Sequence, residues 1–179
     1  QQRCRDRQPD PPSLRAHEPT LLLRVATVRN VSFTSPLAET LAPDLLERFQ
    51  RYVRIDTQSE RDRKQSPSTP GQLDLARVLV EELLAIGLAD ARLDANGYVT
   101  ATLAGDGPVI GLIAHVDTSP DAPGAGVEPI VHRAYDGSRI ELPRGGTVLD
   151  PAEIPALAAA VGHDIVSSSG DTLLGADDK

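Results

Sequence analysis

Apolar positions take up a helical period near Pro43. Leu45, Leu46, Phe49, Tyr52 and Val53 fall at i, i+1, i+4, i+7 and i+8, one face of a first helix. The period stops before the polar run Asp56-Thr57-Gln58-Ser59, and the charged run Glu60-Arg61-Asp62-Arg63-Lys64 reads as a solvated loop. A second helix has both ends marked. Thr69 suits an N-cap, Pro70 the first helical position and Gln72 the partner in a capping box. Leu73, Ala76, Leu79, Val80, Leu83 and Leu84 supply its buried stripe, and Gly87 follows Ile86 where a left-handed residue ends a helix.

Strand-like runs follow. Ala91–Asp94 and Tyr98–Leu103 flank Asn96-Gly97, a strong hairpin signal. Val109-Ile110-Gly111-Leu112-Ile113-Ala114 is continuously apolar, the pattern of a central strand buried on both faces. Residues 118–147 are rich in Gly and Pro and carry one short strand-like piece, Pro129-Ile130-Val131. A short helix over about 151–161, a strand at Asp164–Ser167 and a turn at Ser169-Gly170-Asp171 complete the reading. Helix, hairpin and buried strand in this order predict an α/β domain with a mixed sheet and helices packed on it.

Composition narrows the function. With 3% aromatics and no Trp, the core must come from close-fitted aliphatic side chains. A net charge of −8 argues against nucleic acid as the main partner, because phosphate binding needs a clustered positive surface. No apolar stretch approaches the ~20 residues of a membrane span, and Leu21–Ala26 is short and broken by Arg24. Cys4 has no cysteine partner within the chain, which suits a reducing, cytoplasmic setting. Residues 1–42, rich in Arg, Pro, Gln and Ser, read as a disordered or non-native extension, and 43–179 as the folded part. A chain without Met that opens Gln1-Gln2 is expected to be a piece of a longer product.

Two places carry candidate chemistry. His115-Val116-Asp117 follows the apolar strand directly, and ligands gather where strands of α/β sheets end. A histidine there can bind metal through one ring nitrogen while a carboxylate orients the other. A hydrogen-bonded histidine at a strand end would look the same. Asp177-Asp178 is the second place: adjacent carboxylates repel, and a cation offsets that cost, although an exposed acidic turn fits too. His17, His132 and His163 lack spaced partners, and Gly124-Ala125-Gly126 and Gly145-Gly146 read as turns rather than phosphate cradles.

Taken together, the motifs are specific. His115-Val116-Asp117-Thr118-Ser119-Pro120-Asp121 with Leu173-Leu174-Gly175-Ala176-Asp177-Asp178-Lys179 closely resembles the peptidase T family. So do Leu45-Leu46-Glu47-Arg48-Phe49, Tyr52-Val53, Asp56-Thr57-Gln58-Ser59 and Pro67-Ser68-Thr69, so that the likeness runs from about residue 43 to the last. It implies the amino-terminal part of a two-zinc exopeptidase catalytic domain that releases the first residue of tripeptides. His115 would be a ligand to one zinc, Asp117 the catalytic-site carboxylate that orients it, and Asp177 the carboxylate bridging both ions. The role of Asp178 stays open. The family's proton-accepting glutamate, its remaining ligands and the domain through which a homodimer could form would all lie beyond Lys179.

Two other readings compete: a related zinc amidohydrolase or dipeptidase, and a non-catalytic remnant of the fold. In either enzyme the strand before His115 needs sheet neighbours and helices from outside the chain, so residues 1–179 alone should expose apolar surface. Catalytic zinc usually takes three protein ligands and a water, more than His115 and Asp177 supply to two ions. The isolated chain should therefore neither hydrolyse peptides nor hold two zinc ions tightly. Metal analysis after dialysis and a tripeptide assay check this, and stoichiometric zinc with activity would refute it.

Overall fold

The computed structural model describes residues 33–172 and residue 174; Cys4, Asp177 and Asp178 lie outside them. The first helix, α1 (Pro36–Tyr52), starts seven residues before the predicted boundary at Pro43. Ser35 caps it, its hydroxyl accepting from the Ala38 N–H at 3.1 Å, and Pro36 sits in the first turn where no N–H is needed. Ser35-Pro36 is thus the start signal, and Pro43 lies inside the helix. Residues 36–42, expected to be disordered or foreign, are helical. No residue of α1 is fully buried, and Leu37, Leu41 and Leu45 are exposed.

α2 (Pro70–Ala85) has the predicted N-cap and first residue. The capping chemistry differs, because Thr69 makes no side-chain cap bond and Gln72 reaches the Ser68 N–H instead, at 3.1 Å. The buried face is also rotated. Leu75 and Ala76 are buried with Gln72, while Leu84 is exposed. The helix packs on a hairpin of β1 (Arg92–Leu93) and β2 (Val99–Thr100), which pair antiparallel with Leu93 opposite Val99. The turn between them is the predicted one. Asp94 Oδ1 accepts from the Asn96 and Tyr98 N–H groups, both at 2.9 Å, and Gly97 takes the left-handed φ of 87°.

α1 and α2 are joined by a polar cluster. The Glu82 carboxylate on α2 receives Arg48, Arg51 and the Tyr52 hydroxyl from α1. Burial alone would raise the Glu82 pKa; the Tyr52 and Arg51 hydrogen bonds and the charges of Arg51 and Arg48 outweigh it and hold it below its ordinary value.

Two further ladders form beyond residue 129. β3 (Ile130–His132) pairs antiparallel with β6 (Ile165–Ser167), and β4 (Ile140–Glu141) pairs antiparallel with β5 (Val148–Leu149). The β4–β5 hairpin lies in the stretch expected to be mostly irregular. Gly145 and Gly146, with φ of 73° and 66°, make its turn, and the Gly-Gly pair was the available signal. α3 (Pro155–Ala159) is a single short turn of helix. Its Leu157 packs with Tyr135 and Ile140 in a small core bordered by Leu142, Leu149 and Ile165.

The chain mixes helices with small sheets, compatible with the α/β class. The described residues do not form the expected mixed sheet: their three ladders are each two-stranded and antiparallel. Residues 109–114, expected to be a central strand buried on both faces, form no strand. Val109, Leu112 and Ile113 are 101, 95 and 99% exposed. A strand needs ladder partners for its N–H and C=O groups and layers for its side chains, and no described strand pairs with this segment.

The Glu82 cluster gives a pH prediction. A carboxylate depressed below 4.5 in the folded chain stabilises that chain above this value, and the contribution fades as pH falls through the folded pKa. Thermal unfolding should show Glu82→Gln melting a few degrees lower at neutral pH, with the gap to the native chain closing in acid.

Candidate metal centre

His115 and Asp117 stand next to each other as the motif requires. His115 Nδ1 lies 3.0 Å from Asp117 Oδ1 and 2.9 Å from the Asp117 carbonyl oxygen. Both oxygens are acceptors, so the contacts fit an Nδ1–H donor, the arrangement that leaves Nε2 for a metal. This is how a metal-binding histidine is held by a carboxylate at its other nitrogen. The two side chains are half exposed, His115 at 62% and Asp117 at 43%.

The turn that bears them is tied to a segment some sixty residues earlier. Gln58 and Thr118 form an isolated parallel bridge, with Thr118 N–H donating to Thr57 O at 3.2 Å and Ser59 N–H to Thr118 O at 3.0 Å. The Ser59 hydroxyl also donates to Thr118 O at 2.9 Å, and Gln58 Nε2 donates to Ala122 O at 2.8 Å. Arg61 pairs with Asp121 above the same turn. Gly124 closes it: a Cβ there would stand 3.0 Å from Asp56 Oδ1 and 3.2 Å from Thr118 Oγ1.

Residues 56–59 rest in turn on α2. Thr69 Oγ1 donates to Gln58 O at 2.8 Å, which is why that hydroxyl does not cap the helix. Gln72 Nε2 lies 3.4 Å from Thr57 O, and Thr57 is 3% exposed. Gly71 permits the closest approach, since a Cβ there would fall 1.8 Å from Asp56 O. Periodicity could not reveal this platform, because its residues are polar. The signal was a compact polar run placed directly after an amphipathic helix.

A groove of about 1160 Å³ opens beside His115, Asp117 and Thr118. Phe49, Leu79 and Leu83 line its helical side, so apolar surface borders the polar pair. Asp121 lies on the turn, bonded to Ser119 as well as Arg61. Among the described residues no group of three His, Cys, Asp or Glu could hold a metal ion. The structure therefore offers one oriented histidine with its carboxylate; Asp177, the proposed bridging ligand, lies outside the described residues. His132 is elsewhere, with Nε2 2.9 Å from the buried Ser167 Oγ across the β3–β6 ladder.

Comparison with known proteins gives these residues a context. No family model matches the chain. Individual proteins do. It is 49% identical over 144 residues to the peptidase T of Bacillus cereus strain Q1, covering 78% of this chain and 35% of that protein. The peptidase T of Bacillus thuringiensis strain Al Hakam is 48% identical over 141 residues, covering 76% and 34%. The same figures hold for that of Bacillus anthracis strain CDC 684. The relatives form one class, peptidases by name. The chain is homologous to peptidase T across 78% of its own length and spans about a third of the length of the curated relatives it matches. Among the described residues, no helix is long and apolar enough to cross a membrane.

The close approach at Gly71 can be measured. Gly71→Ala should cost at least the ~1–3 kcal/mol usual for overpacking, because the clash is with backbone and neither partner is a flexible chain end. Urea titration of the two forms would show it as a lower midpoint.

Proposed function

We propose that this chain is part of a zinc-dependent aminopeptidase that removes the amino-terminal residue from tripeptides. The observation that carries the reading is the 49% identity with peptidase T over 144 residues. The geometry supports it. Asp117 stands at His115 Nδ1, as a carboxylate that orients a metal-binding histidine does, which leaves Nε2 as the ligand atom. That donor chemistry fits zinc, which imidazole nitrogen and carboxylate oxygen bind well. His115 would hold one ion, Asp117 would orient the ring, and Asp177 would reach both ions. When bound, zinc lowers the acidity cost of water and polarises the peptide carbonyl.

What this chain's own residues contribute is orientation. A histidine half exposed to water would sample several ring angles without Asp117, and each lost orientation weakens the ligand. The apolar groove beside the pair offers a surface from which water is readily displaced. A cytoplasmic location, and a homodimer through a domain outside this chain, belong to the same reading.

The test is a chimera in which this chain replaces the aligned segment of the Bacillus cereus peptidase T. It should release amino-terminal residues from tripeptides, and a chelator should abolish the activity. Asp117→Asn should lower metal affinity or activity about 10–100-fold, and His115→Ala should lower it further. Preference for acylated amino acids over tripeptides would overturn the reading.

A further inference from the structure

We propose that Gln58 and Ser59 are positioning residues for His115 and Asp117, holding the site turn from its carboxyl-terminal side. This deepens the peptidase reading, since it takes His115 as the group to be positioned.

Residues 109–114 have no ladder partner among the described residues, and their side chains stand in solvent. His115 nevertheless has a defined ring angle, set by two contacts to Asp117. Asp117 is also tied down on its carboxyl-terminal side, through Thr118.

The structure shows what holds it. Thr118, the next residue, gives its N–H to Thr57 O and takes both the N–H and the hydroxyl of Ser59 on its carbonyl. Four residues on, Ala122 O takes the side-chain amide of Gln58. Two adjacent side chains thus grip two carbonyls of one turn. They stand on a base that does not yield easily, because Thr69 and Gln72 of the α2 start bond to Gln58 O and Thr57 O. The chain of support runs from α2 through residues 57–59 to Thr118, Asp117 and finally His115.

The experiment reads the His115 tautomer in the metal-free chain of 179 residues, by long-range proton–nitrogen correlation spectra. His115→Gln identifies the signal by its loss. The native chain should show the Nδ1–H form, and Gln58→Ala with Ser59→Ala should shift it several-fold toward the Nε2–H form that free imidazole prefers. Ser59→Thr keeps the hydroxyl and should keep the native tautomer. If the double variant unfolds by circular dichroism, Ser59→Ala against Ser59→Thr decides alone. An unchanged His115 signal in a folded variant, or an Nε2–H form in the native chain, would overturn the proposal. No substrate or zinc is involved, so a chimera that fails to cleave tripeptides would sink the peptidase reading and leave this result standing.

Discussion

The start of α2 lies against the backbone of Asp56 more closely than any side chain would allow, and the site depends on that contact. Gly71 makes the approach possible by presenting no Cβ where Asp56 O stands. Once the helix is seated, Thr69 and Gln72 satisfy the carbonyls of Gln58 and Thr57, groups that would otherwise be costly to cover. Thr57 is nearly buried as a result, which is unusual for a residue in so polar a run. The segment then has its own donors free to bind residues 118 and 122. A backbone contact at one end of a helix is in this way passed to a histidine far along the chain.

The other side of the site is built on the opposite balance. Val109, Ile110, Leu112 and Ile113 are almost wholly in water, though each side chain would gain about 1.5–3 kcal/mol on full burial. The small core of Tyr135, Ile140 and Leu157 lies elsewhere and does not reach them. Apolar character alone therefore does not make a strand. The backbone must also find partners, and the three antiparallel ladders give it none. Among the described residues the helices and hairpins close locally, and residues 109–114 join no ladder.

Local features were the legible ones. Pro70 opening α2 and the Asn96-Gly97 turn each rest on residues close in sequence. Where the reading missed, a distant partner had intervened. Thr69 looked like a helix cap, but its hydroxyl is taken by Gln58 O. α2 buries Leu75 and Ala76 where the stripe pointed to Leu73 and Leu84, and periodicity does not specify which neighbours a helix meets. α1 began early because Ser35 and Pro36 form the better start, and a helix tolerates Pro43 at the loss of one hydrogen bond. The β4–β5 hairpin was hidden by strands of two residues each, too short to show alternation.

By itself the sequence determined the helices, the turn residues and the His115-Val116-Asp117 motif, because these follow from backbone preference and from chemistry within a few residues. It also carried the likeness to peptidase T, which needs only the order of residues. Tertiary structure decided the platform of residues 57–59 beneath Thr118. It also decided that residues 109–114 stay unpaired. Such outcomes depend on which groups meet across sixty residues, and hydrogen bonds and burial reward meetings in space, whatever the spacing along the chain.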